Sequence, residues 1–282
     1  MEIMKNRQSI EIRSVLTDDI GNKWYRSDQE APVNKPYNHR KVNGVGMFYK
    51  VKDQDGEIFE SVKYGDYENV YEQKFSTSGI PSCFKDKSIE HFDGSLYNRS
   101  FDAEQALKQA RNYVDAFEVF KKSGIGLYIY SNKQGSGKTL LACIIANLIM
   151  NQYGDSIKFV KAVNFFEQLK REMKNSNNED IYHRKDTFSD AVKASVLILD
   201  DIGSEIRTDY VSTKVYELID MRIKENKVTI FTSRKVATKL GYDDSTIMKI
   251  REYSQAIVLP DENVSERLIR NKNKKFAELL NK

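Results

Sequence analysis

Apolar and polar positions follow two unlike regimes along the 282-residue chain. From Phe101 onward, short continuous apolar runs alternate with stretches whose apolar residues recur at helical spacing. Ile125-Gly126-Leu127-Tyr128-Ile129-Tyr130, Lys158-Phe159-Val160, Val196 to Leu199, Val228 to Phe231 and Ala256-Ile257-Val258-Leu259 read as strands. Helices are predicted from Asp102 through Phe120, from near Lys138 onward, from Asn164 through Met173 and over residues 210–225. Asp102 with Gln105, and Asn164 with Glu167, have the spacing of a capping box. Strands apolar on both faces and joined by helices predict a parallel sheet covered on each side, an α/β fold.

The first third of the chain reads differently. It holds Pro32, Pro36 and Pro81, the single tryptophan and no long helical period. One hairpin is predicted there, Gly46 to Lys52 and Glu57 to Val62 about the turn Asp53-Gln54-Asp55-Gly56, because a Gly-ended turn separates two β-prone runs. Residues 1–78 are therefore expected to form a small β-containing module, 79–100 a linker, and 101–282 the main α/β domain.

Composition narrows the class. Apolar residues make up 40% of the chain and charged residues 30%, a soluble globular balance. The longest strongly apolar run, Leu140 to Met150, is too short for a hydrocarbon layer roughly 30 Å thick. Met1 to Lys5 lacks the apolar core of a signal peptide, so a cytoplasmic protein with no membrane partner is expected. Two cysteines, Cys83 and Cys143, exclude a disulfide framework or a cysteine-based zinc site. His39, His91 and His183 sit at no metal-ligand spacing. The 45 basic residues nearly balance 41 acidic ones, so net charge says little about nucleic acid. The basic cluster Arg267 to Lys275 reads either as a solvated helix face or as a phosphate-contacting tail.

Chemistry concentrates in Ser131-Asn132-Lys133-Gln134-Gly135-Ser136-Gly137-Lys138-Thr139, between a strand and a helix. Gly135 and Gly137 let main-chain N–H groups turn in around phosphates, and the helix start near Lys138 adds its positive dipole end. Lys138 is expected to neutralise the β- and γ-phosphates of ATP, and the Thr139 hydroxyl to bind Mg²⁺. Ser136 and Leu140 complete the expected nucleotide contacts. Asn132 stands where this motif usually has Gly, and is expected to take a left-handed backbone that Asn tolerates. Val196-Leu197-Ile198-Leu199-Asp200-Asp201 is a buried strand ending in two acids. Asp200 suits the Mg²⁺ shell and Asp201 the attacking water, with Glu205 as a substitute.

Gly79-Ile80-Pro81 leading through Phe84 to Phe92-Asp93, the run Ile125 to Tyr130, Leu197-Ile198-Leu199-Asp200-Asp201-Ile202-Gly203 and Thr229-Ile230-Phe231-Thr232-Ser233 resemble the ATPase module of bacterial helicase loaders of the DnaC/DnaI group. The resemblance spans about residues 79–270 and extends to related transposition-helper ATPases. It implies a P-loop AAA+ parallel sheet with flanking helices, ATP and Mg²⁺ as cofactors, and self-association. It also implies ATP-driven loading of a hexameric replicative helicase onto single-stranded DNA. Transposition helper and nucleotide-gated adaptor with little hydrolysis are the rival readings; nothing resembles the acceptor site of a small-molecule kinase.

Four departures from that family pattern stand out. Asp201 replaces a Glu, and Arg234 replaces the sensor Asn after Thr232 and Ser233. Lys249, with Arg251 two residues on, falls where an arginine finger reaches a neighbouring subunit; a lysine lacks the guanidinium fork. The cysteine cluster that many relatives carry near the N-terminus is absent, so the first module is expected to grip its partner differently. The second sensor implied by the resemblance is Arg267 or Arg270. Ile181 to Phe188 combines aromatics with positive charge, as single-strand binding requires, or else is ordinary helix packing.

Overall fold

The computed structural model describes the strands β1 (Glu2–Lys5), β2 (Gln8–Glu11), β3 (Ser14–Thr17), β4 (Lys23–Arg26) and β5 (Phe48–Lys50), and residues 74–174 and 186–280. It divides into two compact units, Met1–Thr77 with Ile149–Asp155, and Ser78–Leu148 with Ser156–Lys282. In the first unit β1 pairs antiparallel with β2, and β3, β4 and β5 form an antiparallel sheet in that order. The first arm of the expected hairpin contains β5, which pairs with β4, Tyr49 opposite Tyr25. The second arm, Glu57 to Val62, lies outside the described residues.

The second unit is built on five parallel strands, β6 (Gly126–Tyr130), β7 (Ile157–Lys161), β8 (Val196–Asp200), β9 (Val228–Ser233) and β10 (Ser254–Val258). Their order across the sheet is β10-β6-β9-β8-β7. All five strands expected from the sequence are present, and the α/β reading holds. Helices α1 (Ser100–Asp115), α2 (Phe117–Lys122), α3 (Lys138–Tyr153), α4 (Ala162–Lys174), α5 (Thr187–Lys193), α6 (Asp209–Lys224), α7 (Asp244–Glu252) and α8 (Val264–Leu280) connect or flank them.

Successive strand residues face opposite layers, as a pleated strand requires. Leu197, Leu199, Tyr128 and Phe231 join Phe165, Phe166, Val215, Leu218 and Ile250 in one apolar cluster with α4, α6 and α7. Their strand neighbours Val196, Ile198, Leu127, Ile129 and Ile230 are equally buried but lie outside that cluster. Both faces of the sheet are therefore covered, which is why these runs are continuously apolar rather than alternating. Helix α3 carries apolar residues all round, with Leu141, Ala142, Cys143, Ile144, Ile145 and Ala146 all buried, the pattern of a helix enclosed by its own domain.

Two expected helix starts are corrected. The first helix begins at Ser100, so Asp102 lies inside its first turn and pairs with Arg99 at 2.5 Å instead of capping. Glu262 takes the N–H groups of Asn98 and Arg99 just ahead of that helix, at 2.8 and 3.0 Å. A carboxylate more than 160 residues away in sequence thus anchors the backbone that enters the helix, and no side chain caps its first turn. Helix α4 follows β7 without a loop, which places Asn164 in its first turn. Among the described residues no helix is long and apolar enough to cross a membrane.

Candidate nucleotide-binding site

The order β10-β6-β9-β8-β7 sets the site. Strand β9 separates β6, which feeds the glycine loop, from β8, which ends in Asp200. Ligands of parallel sheets bind beyond the carboxyl ends of the strands, and here three strand ends converge. Gly135 and Gly137 have φ of +72° and +87°, a backbone that favours glycine. An added Cβ would stand 2.2 Å from Asn263 Oδ1 at Gly135 and 2.7 Å from the Tyr97 hydroxyl at Gly137. The loop is a close-fitting cradle at the start of α3. Lys138 Nζ donates to the Lys133 carbonyl at 2.7 Å and to Ser136 Oγ at 3.1 Å. Burial pulls its ammonium pKa down to about 8, with Asp201 opposing and Arg234 reinforcing that shift.

Asp200 is buried at the end of β8, and its Oδ1 accepts from Thr139 Oγ1 at 2.8 Å and Thr232 Oγ1 at 2.7 Å. Burial raises its pKa while the two hydroxyl donors oppose the rise. A hydroxyl and a carboxylate held together, with a second carboxylate adjacent, form an oxygen-only donor set that fits Mg²⁺. The glycine cradle and Lys138 fit a phosphate chain. Asp201 has φ +56° and its N–H donates to Thr232 Oγ1 at 2.9 Å. This turn out of the β8 ladder leaves its side chain part-exposed on the cleft. Arg234 meets it there, Nε to Oδ1 at 3.3 Å, and also reaches Ser204 Oγ at 2.9 Å. The expectation for Asn132 is corrected: it is not among the left-handed residues, and Asp201 is. Asn132 instead donates its N–H to Asp261 Oδ1 at 2.7 Å, and it does not line the cleft.

The cleft has a volume of about 750 Å³, within the range of small-molecule sites. Gln134 to Leu140, Asp200, Asp201, Thr232 and Arg234 form its polar side. Pro81, Phe84, Phe92 and Tyr97, ahead of α1, form one apolar wall, and Val264 and Leu268 of α8 another. Tyr97 stacks on Phe92 with ring centroids 5.7 Å apart. Ser265 donates its N–H to the Gly135 carbonyl at 3.0 Å. The sequence reading gave Tyr97, Val264 and Ser265 no role; the run from Gly79-Ile80-Pro81 through Phe84 to Phe92-Asp93 was marked by resemblance alone.

Several expected site residues lie elsewhere. Arg267 ties the Leu96 carbonyl, at 2.5 Å, to Glu262, at 2.8 Å, and Arg270 pairs with Glu266 at 2.5 Å. Neither lines the cleft. Glu205 accepts from the Gly203 N–H at 2.9 Å and from the Tyr242 hydroxyl, so it braces the turn after Asp201 and is no substitute base. Lys249 is paired with Asp220 at 2.9 Å and lies over the Tyr216 ring, while Arg251 is exposed on another face of α7. Phe188 packs against the apolar cluster with Lys214 over its ring, ordinary packing rather than a base-stacking platform. Ile181 to Lys185 lie outside the described residues.

Residues 128–247 match the family model described as IstB-like ATP binding protein. Escherichia coli replicative helicase loader DnaC is 24% identical over 158 residues, 56% of this chain and 59% of that protein. Bacillus subtilis replicative helicase loader DnaI is 35% identical over 113 residues, 39% of this chain and 33% of that protein. The chain thus spans less than two thirds of the length of these relatives. The DnaC helicase loader crystal structure aligns with 64% of this chain and 99% of its own, with a TM-score of 0.53 at 22% identity. The DnaI crystal structure gives 0.51 at 23% identity over 68% of this chain and 99% of its own. The chain is thus similar, over this part, to IstB-like ATP-binding proteins and to the helicase loaders DnaC and DnaI. Its parallel sheet and flanking helices form the fold also seen in DnaA, whose AMPPCP-bound structure aligns with a TM-score of 0.52 at 16% identity. The glycine loop, Gly135 to Thr139, lies inside the IstB-like match.

Proposed function

We propose that this protein is an ATP-dependent loader of a hexameric replicative helicase onto single-stranded DNA, in the cytoplasm. One observation carries the reading: the Thr139–Asp200–Thr232 network closes the floor of a glycine-cradled cleft in a DnaC/DnaI-like chain. Lys138 would bind the β- and γ-phosphates, and Thr139 with Asp200 would hold Mg²⁺, whose charge offsets that of the phosphates. Asp201 would orient the attacking water and receive its proton. The water oxygen bonds to the γ-phosphorus, and the bond from that phosphorus to the β,γ-bridging oxygen breaks, giving ADP and phosphate. Arg251 would complete a neighbouring subunit's site in a homo-oligomer, while Lys249 stays paired with Asp220. Residues 1–78 would carry the grip on the helicase, and 79–100 would link that module to the ATPase domain.

The test uses circular single-stranded DNA, onto which a closed ring cannot thread. Host helicase should become stably bound to the circles only with this protein and ATP present. Equal helicase recovery with and without the protein rejects the loader role. The 3.3 Å Asp201–Arg234 pair favours a second reading, a nucleotide-gated adaptor, because a carboxylate engaged by an arginine is a poor water ligand. ATP-dependent loading with no release of phosphate would select it.

A further inference from the structure

Asn147 is a buried amide, 3% exposed, about two turns beyond Thr139 on α3. Thr139, Cys143 and Asn147 recur at four-residue spacing, which puts them on one face of the helix. That face begins at the cleft with Thr139 and ends under the segment ahead of α1. There Asn147 Nδ2 donates to the carbonyls of Phe84, at 2.8 Å, and Lys87, at 3.0 Å. Both partners are acceptors, so the orientation of the amide is fixed. Its Oδ1 meets no donor among the described residues. Burying an acceptor without a partner is costly. The amide is there for its two donors.

What those donors hold is the apolar wall that Pro81 and Phe84 begin and Phe92 and Tyr97 continue. The far end of this wall is pinned by Tyr97 to Ser136, and by Glu262 to Asn98 and Arg99. The stretch from Ser82 to His91 runs instead through short 3-10 turns closed on themselves, Lys85 to Ser82, Lys87 to Phe84 and His91 to Ser88. Single turns of this kind are weak supports. Asn147 ties them to the helix that starts in the phosphate loop. Resting on the nucleotide-site reading above, we propose that Asn147 is a positioning residue for the nucleoside half of the nucleotide. It does not line the cleft, and it acts by fixing the Phe84 part of the wall relative to the glycine loop. The loop grips phosphates through its own main chain and Lys138, which Asn147 does not reach. The apolar wall has no charge for phosphate and offers its rings to a flat base. The two halves of ATP are thus met by separable parts of the cleft, and Asn147 serves one of them.

The test is equilibrium binding of ATP, ADP and inorganic tripolyphosphate, each with Mg²⁺, to the full chain. The parent should bind ATP more tightly than tripolyphosphate. Asn147→Leu, close in shape and lacking both donors, should lose roughly 10-fold in ATP and ADP affinity, with tripolyphosphate within about twofold of the parent. Should that variant fail to fold, Asn147→Asp carries the same comparison. Burial favours the neutral form of its carboxyl, and that form returns one donor. Its ATP deficit relative to the parent should therefore shrink between pH 8 and pH 6, while tripolyphosphate shows no such recovery. The inference is overturned by a loss shared equally with tripolyphosphate, by undiminished ATP affinity in the variants, or by a parent that binds ATP no better than tripolyphosphate. A parent that binds none of the three overturns the nucleotide-site reading itself, and the inference with it.

Discussion

The Tyr97 hydroxyl donates a 2.8 Å hydrogen bond to the main-chain carbonyl of Ser136, joining the segment ahead of α1 to the middle of the phosphate loop. Burial, and then the Glu262 carboxylate, hold the Tyr97 phenol above its ordinary pKa range, so it remains a donor wherever the protein is folded. Through this bond the segment ahead of α1 bears directly on the nucleotide cradle. Tyr97→Phe keeps the ring stacked on Phe92 and removes the donor alone. It should cost about 1 kcal/mol in chemical denaturation and weaken ADP and ATP alike by up to roughly fivefold. Unchanged affinity for both would mean that the loop holds its shape without Tyr97.

Lys138 predicts a pH dependence. With its pKa held near 8 by burial, the ammonium is mostly charged below about pH 7 and mostly neutral above about pH 9. A phosphate in the cradle favours the charged form and raises that pKa, so binding takes up a proton on the alkaline side. Nucleotide affinity should stay level to about pH 7 and fall as pH rises beyond 8. Calorimetry in two buffers of different ionisation heat should report proton uptake near pH 9 and little near pH 7. Lys138→Ala should abolish both the pH dependence and tight binding. Binding at pH 9 without proton uptake would show that the ammonium is not what the phosphates meet.

The parts of this site that the sequence disclosed are local ones. Gly135-Ser136-Gly137-Lys138-Thr139 is contiguous, and the five apolar runs reveal strands because each is buried on both faces. What stayed hidden depends on contacts across the chain. Glu262 before α1, Asp261 on the Asn132 N–H and Ser265 on the Gly135 carbonyl join segments about 130 to 160 residues apart. No spacing rule points to such partners. The Asn132 expectation failed for the same reason: Asp261 supplies a partner for its N–H, and the left-handed turn falls at Asp201, where the chain leaves the sheet. Arg267 and Arg270 were placed by resemblance alone, and Glu262 and Glu266 take them up instead.

The paired acids at the end of β8 should separate by substitution. Asp200→Asn removes charge from the donor set that Thr139 shares, so it should abolish Mg²⁺-dependent turnover and reduce Mg²⁺-dependent nucleotide binding. Asp201→Asn should leave binding close to the parent while slowing phosphate release by roughly 10²-fold or more. Steady-state phosphate release alongside nucleotide titration reads the two effects independently. Parental turnover in Asp201→Asn would remove that carboxylate from the chemistry, and Glu205, held by Gly203 and Tyr242, would not replace it.

Arg222 predicts a stability effect without a nucleotide effect. Its side chain is fully buried and its charge is met by oxygen atoms alone: Thr229 Oγ1 at 3.0 Å and the carbonyls of Ala191, Val192, Ala194 and Val228 at 2.5 to 3.1 Å. Three of these carbonyls close the end of α5, where the helix dipole favours a cation. Arg222→Met fills similar space but leaves those carbonyls without a donor, at a cost of about 3 kcal/mol or more. The urea midpoint should fall accordingly, while nucleotide affinity measured on folded protein stays within about threefold. A midpoint equal to the parent's would mean that water or local rearrangement satisfies these carbonyls as well as the guanidinium does.

The last prediction separates Arg251 from Lys249. Two residues apart on α7, they point to different faces: Lys249 turns inward to Asp220, which also pairs with Lys224 at 2.7 Å, and Arg251 turns outward. Lys249 can serve a neighbour only by leaving Asp220, whereas Arg251 has no ion pair to give up among the described residues. Lys249→Ala should therefore change stability modestly and leave turnover largely in place. Arg251→Ala should lose turnover but keep nucleotide binding, because its charge belongs to the next subunit's cleft. Mixing Arg251→Ala with Lys138→Ala then decides the matter. In a mixed assembly some clefts combine an intact glycine loop from one subunit with an intact Arg251 from the other, and phosphate release should partly return. Continued inactivity of the mixture, at concentrations where sedimentation shows the two variants assembled together, would mean that Arg251 serves no neighbour.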